Sequence, residues 1–137
     1  MKDFNTSLLK AYYSAINALD IPVYEGEEPD DVLDKIYCVL SDVTNQDVST
    51  KSSFDFNCSI QISIHSWEYK YVNSTELNEK VNLILGAIKP EKISTLIADG
   101  VQVSTTKLTQ DITQRLGILG ERKFISRILI FNHLITY

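Results

Sequence analysis

Residues 54–67 read Phe54-Asp55-Phe56-Asn57-Cys58-Ser59-Ile60-Gln61-Ile62-Ser63-Ile64-His65-Ser66-Trp67, and their alternation decides the fold. Phe54, Phe56, Cys58, Ile60, Ile62 and Ile64 are apolar, and the residues between them are polar. A period of two sends one set to a core and the other to the opposite face, so this is a half-buried strand. It is long beside the usual strand of roughly five or six residues, which predicts an overhang or a bulge. Its neighbours must cover the apolar face.

Upstream, residues 4–20 carry Leu8, Leu9, Tyr12, Ala15, Ile16 and Leu19 on one helical stripe, with Asn5, Thr6 or Ser7 available as a cap. Asp20-Ile21-Pro22 ends that helix, because the residue before proline is pushed out of the α region. A short extended piece, Pro22-Val23-Tyr24, leads into an acidic loop. Residues 35–44, with Ile36, Tyr37, Cys38, Val39, Leu40 and Val43, form a second strand apolar on both faces and therefore central. Residues 45–53 have the polar composition of a hairpin loop.

Downstream, Asn73-Ser74-Thr75-Glu76 has the form of a capping box. Leu77, Val81, Ile84, Leu85 and Ile88 then repeat at helical spacing until Pro90, and this stripe should lie on the Ile60, Ile62 and Ile64 face. Residues 101–108 read as a strand with a weak apolar pattern. Residues 109–121 hold two glycines and no clear period, so they read as a turn or flexible arm. Residues 124–135 close the chain as a strand apolar on both faces, with Ile125, Leu129 and Phe131 on one side and Phe124, Ile128, Ile130 and Leu134 on the other. The expected fold class is α+β: an antiparallel sheet of about four strands with two amphipathic helices packed on one face.

The 137 residues suit a single domain, 1–137, with a core large enough to need no metal or disulfide. Hydrophobic content of 44 % and charged content of 23 % are those of a soluble protein, and no membrane association is expected. The N-terminal residues lack the apolar segment of a secretory signal, so export by that route is not expected. Cys38 and Cys58 have no paired spacing and read as buried free thiols. The net charge of −5 argues against phosphate-backbone binding as the main activity. Residues 1–60 carry a net −7 and residues 61–137 a net +2. Six acids crowd together: Glu25, Glu27, Glu28, Asp30, Asp31 and Asp34. They read either as a solvated loop or as a functional acidic rim, and they lack the alternate-position pattern of a calcium loop.

No phosphate loop, zinc-protease helix or nucleophile elbow is present. His65 and His133 are the only histidines; they could be neighbours in one sheet, but no acid is positioned by sequence to complete a set. We therefore expect no catalytic residues, no metal and no cofactor, and a protein that is not an enzyme. Trp67, Tyr69 and Tyr71 alternate along the end of the first-quoted strand. Aromatic residues there pack under a loop or anchor a partner.

The order of these elements, with Pro22-Val23-Tyr24-Glu25-Gly26, Tyr37-Cys38-Val39-Leu40-Ser41-Asp42-Val43-Thr44, Ser49-Thr50-Lys51 and Ile64-His65-Ser66-Trp67, and a helix over 76–88, resembles the tail-completion and tail-terminator proteins of tailed bacteriophages. The likeness is strongest over 22–88 and departs over 109–121. It implies an α+β subunit that assembles into a ring, usually a homo-hexamer, at the head-proximal end of the tail. There it ends polymerisation of the tail-tube protein and joins the tail to head-tail connector proteins. DNA would cross the ring without specific binding. The implied location is the virion tail, after assembly in the host cytoplasm.

On that reading the candidate interface is the polar face Ser59, Gln61, Ser63 and His65 with Trp67 and Tyr69. The loops 45–53 and 109–121 are candidate arms. The candidate channel-facing acids are Glu25, Glu27, Glu28, Asp30 and Asp31, because carboxylates repel phosphate. A head-tail connector ring of a short-tailed phage is a close variant. A cytoplasmic protein- or peptide-binding module using the open sheet face is the alternative.

Overall fold

The alternation in residues 55–69 is realised without a break: every second residue from Phe56 to Glu68 is buried, and those between are half-buried. The computed structural model describes residues 5–26, 35–49, 55–69, 75–89 and 102–136. The elements are α1 (Asn5–Asn17), β1 (Val23–Glu25), β2 (Ile36–Asp47), β3 (Asp55–Tyr69), α2 (Thr75–Ala87), β4 (Gln102–Leu119) and β5 (Arg122–Thr136). The capping-box positions Asn73 and Ser74, along with Tyr71, Pro90 and most of the acidic loop, lie outside the described residues.

The described strands form one sheet in the order β1-β2-β3-β5-β4. β1 runs parallel to β2, and the other pairs are antiparallel. This corrects the expectation of an antiparallel sheet of about four strands. The sheet is mixed and has five strands among the described residues, because Val23–Glu25 joins its edge in parallel. The flanking bonds Cys38 N–H to the Pro22 carbonyl (2.8 Å) and Gly26 N–H to the Leu40 carbonyl (2.8 Å) fix that pairing.

Residues 109–121 are a second correction. They are strand as far as Leu119, and Gly120-Glu121 makes a tight turn into β5. Gly120 has φ +63, the positive angle that the first central residue of a two-residue hairpin turn adopts without penalty only as glycine. Likewise, β2 runs through residues 45–47 of the segment read as a hairpin loop, pairing Asp47 with Phe56.

Register explains why these strands deceived a period-two test. Leu40 opposes Ile62 while Val43 opposes Ile60, so one extra residue is inserted between them. The bulge lets Leu40 and Val43, three apart, both turn towards the core. The Ser41 hydroxyl donates to the Gln61 carbonyl across it, at 3.1 Å. β4 carries three such shifts, between Val103 and Thr105, Leu108 and Gln110, and Arg115 and Gly117. Each resets the phase of alternation, so β4 has no single apolar face to read.

One face of the sheet carries the core. Phe56, Cys58, Ile60, Ile62 and Ile64 of β3 lie beside Ile125, Leu129, Phe131 and Ile135 of β5. α1 adds Leu8, Ala11, Tyr12, Ala15 and Ile16, and α2 adds Leu77, Val81 and Ile84. Both helices therefore cover the same face, as the sequence predicted. Burying each aliphatic side chain of this kind stabilises by roughly 1.5–3 kcal/mol against leaving it exposed.

Polar contacts tie the helices down. Arg127 forks onto Asp111 of β4 at 2.6 and 2.7 Å and reaches Asn78 of α2 at 3.1 Å. Lys35 bonds Glu76 of α2 at 2.7 Å.

Candidate interface surfaces

Strand pairing places Ser59, Gln61, Ser63, His65, Trp67 and Tyr69 in one row on the face away from both helices. Ser59 donates to Asn132 Oδ1 at 3.4 Å, and His65 Nδ1 meets the Ser126 hydroxyl at 2.5 Å. The row is flanked on β5 by Phe124, Ile128, Ile130 and Leu134, and on β2 by Tyr37 and Val39. Tyr24 meets Tyr37 edge-on, and the Tyr37 ring lies 5.2 Å from His65. The face predicted as polar is therefore a polar ridge between two apolar-aromatic flanks.

Trp67 closes one end of that face. The Arg122 guanidinium lies 4.2 Å from its ring centroid, Lys35 Nζ 6.0 Å from it, and Tyr69 packs edge-on at 6.0 Å. Cation–π contact of this kind, worth about 0.5–1 kcal/mol at an exposed site, holds the indole against the sheet. Trp67 is half-buried within its own chain, whereas Tyr69 is exposed.

The two histidines are not brought together. His65 opposes Ser126 on the uncovered face, whereas His133 opposes Cys58 on the core face. Burial of His133 is complete. The Tyr12 hydroxyl bonds its Nε2, and the Thr106 hydroxyl lies 3.0 Å from its Nδ1. Loss of hydration holds the His133 imidazole down to about 4 and pushes Tyr12 well above its usual range. Both are neutral near pH 7, in a buried link from helix to sheet. Cys38 and Cys58 are buried thiols outside any disulfide, and burial pushes Cys38 up to about 12.

Of the acidic candidates, Glu25 is exposed at the end of β1. Glu27, Glu28, Asp30 and Asp31 lie outside the described residues. Beside Glu25, Lys10, Tyr13 and Ser14 of α1 and Val23 and Tyr24 of β1 line an open cleft of roughly 530 Å³.

Sequence reading missed the far edge. β4 borders β5 on one side and no other strand among the described residues. Near its turn Leu116, Ile118 and Leu119 are 60 %, 67 % and 75 % exposed. A signal was present: Leu116, Ile118 and Leu119 crowd around Gly117 and Gly120 in an otherwise polar stretch.

No family model matches this chain, and no curated protein matches it. Among solved structures, a chain from the virion of a native gene transfer agent (GTA) particle has the same fold, with a TM-score of 0.64 at 14 % identity. The match covers 95 % of this chain and 94 % of that one.

Proposed function

We propose that this chain is a structural virion protein that forms a ring at the head-proximal end of a phage-like tail, ends polymerisation of the tube and joins the tail to the head connector. The observation that carries the reading is the fold shared, end to end, with a chain of a gene transfer agent virion. The order of elements that resembles the tail terminators agrees with it. The proposed activity is shape: one patch of the subunit meets a different patch on the next, and the rotation closes. No reaction is involved. Glu25 and the acids after it would line or rim the channel and repel DNA that passes through.

The test is the mass of the purified protein by light scattering across a concentration series, alone and with polymerising tube protein. A closed ring, or a monomer recruited to tube ends, is the expected result. A monomer that ignores the tube at every concentration overturns the reading and favours a peptide-binding module.

A further inference from the structure

The geometry points to a proton-operated latch: His133 holds α1 on the sheet through Tyr12, and a proton taken up by His133 releases α1 as a unit while the sheet stays closed. The device is independent of ring assembly and rests on the polarity of one buried hydrogen-bond chain.

α1 carries the apolar stripe Leu8, Ala11, Tyr12, Ala15 and Ile16 onto the core. Among the described residues, its one side-chain hydrogen bond to the sheet runs from Tyr12 to His133 Nε2. The Tyr12 ring also meets Phe131 edge-on at 6.1 Å and His133 edge-on at 5.5 Å. Tyr12 and His133 have no exposed surface, so the Tyr12 hydroxyl hydrogen needs an acceptor inside the protein. Nε2 accepts only in the neutral ring that carries its proton on Nδ1, and that N–H then donates to the Thr106 hydroxyl. In this one arrangement Tyr12, His133 and Thr106 satisfy one another.

A second proton on the ring turns Nε2 into a donor, which faces the donor hydroxyl of Tyr12. The tyrosine must then turn its hydrogen into apolar surroundings or leave. No opposite charge stands at this level to compensate. Cys58 of β3 and Thr106 of β4 oppose His133, with Phe131 and Ile135 beside it on the same face of β5. Tyr12 and Cys58 are the titratable groups among these, and no carboxylate stands with them. Lys107 opposes Asn132 on the other face, where Asp55 bonds Thr136, and Lys10 of α1 is exposed. Asp111 and Arg127 share the core face farther along β5 but neutralise each other. The proton acts on α1 and not on the sheet because backbone ladders join β3, β4 and β5, whereas side chains alone join α1 to them.

Amide exchange on the full chain, corrected for the intrinsic rate at each pH, tests the latch. Each pH unit below 6.5 favours the released, protonated state tenfold, so α1 protection should fall by about twentyfold between pH 7 and pH 5. The amides of β3 should keep theirs over that range. His133→Gln should leave α1 protection flat with pH. Tyr12→Phe keeps the ring and removes the hydroxyl, and should lower α1 protection at pH 7 by roughly fivefold with β3 unchanged. Amides of α1 and β3 that lose protection together as the pH falls, or α1 protection in the parent that does not change with pH, overturn the latch, as does the same pH dependence in His133→Gln.

Discussion

Acidification should loosen this fold in a window set by one histidine. His133 has no exposed surface and sits between Tyr12 of α1 and Thr106 of β4, so its neutral form is the one the core accepts. Its folded value of about 4 lies below the ordinary histidine value of 6.5. As pH falls below 6.5 the unfolded chain takes up a proton that the folded chain refuses. Stability contributed by neutral His133 is therefore whole above 6.5, falls between 6.5 and 4, and falls no further on this account below 4. The slope is about 1.4 kcal/mol per pH unit, or roughly 3 kcal/mol over the window. Against the roughly 5–15 kcal/mol that stabilises a typical domain, that loss is easily measured. Asp111, held low by the Arg127 fork, and Asp47, held low by Ser49, lose their protons more readily than ordinary carboxylates and add their effect mostly at the acid end. Urea unfolding followed by circular dichroism at half-unit steps from pH 7.5 to 4.5, on the parent and on His133→Gln, isolates the histidine. The parent should show the slope, and the variant should be less stable at pH 7 yet flatter with pH. Equal slopes in the two proteins would refute the reasoning.

Three further outcomes follow from the packing. Ile62→Ala, at a fully buried position in the middle of β3, should cost about 2–5 kcal/mol in urea unfolding, whereas Ser63→Ala next to it should stay within about 0.5 kcal/mol. Arg127→Ala breaks the fork to Asp111 and the bond to Asn78. Because both ends of that ion pair keep partial solvent contact, the expected loss is about 1 kcal/mol, with faster amide exchange in β4 and α2. The thiols of Cys38 and Cys58 should resist an aromatic disulfide reagent at pH 8 in the folded protein and react at once in denaturant; rapid labelling of the native chain would contradict their burial.

The parts of the fold legible in sequence are those where one periodicity runs unbroken. β3 keeps strict alternation over its whole length, and β5 divides its apolar residues between the two faces in the register that the sequence implied. Both helices keep their stripes, because their apolar residues face a single partner. β4 was illegible for the opposite reason. Its phase is reset three times, and Thr106, Asp111 and Arg115 stand beside His133, Leu129 and Ile125 where an unbroken strand would show apolar residues. The parallel docking of β1 was illegible because three residues hold too little pattern to choose a direction. Only the bonds from Cys38 and Gly26 reveal it.

The candidate site divides along a similar line. The row from Ser59 to Tyr69 could be placed on one face because that inference needs only the strand period. His65 and His133 could not be separated without the register, since the odd spacing along β3 and β5 together decides which face each occupies. The aliphatic residues at the β4 turn pose a harder problem. Leu116, Ile118 and Leu119 break the rule that apolar residues turn inward, and such a break has meaning only after the core is seen to be complete without them. A catalytic site repeats a spacing that its chemistry imposes, so it can be read from one chain. A surface patch is under no such constraint, because its residues are brought together only by the fold. Here the cleft beside α1 and β1 and the turn between β4 and β5 lie about a hundred residues apart in sequence, and only the sheet order sets them on opposite edges.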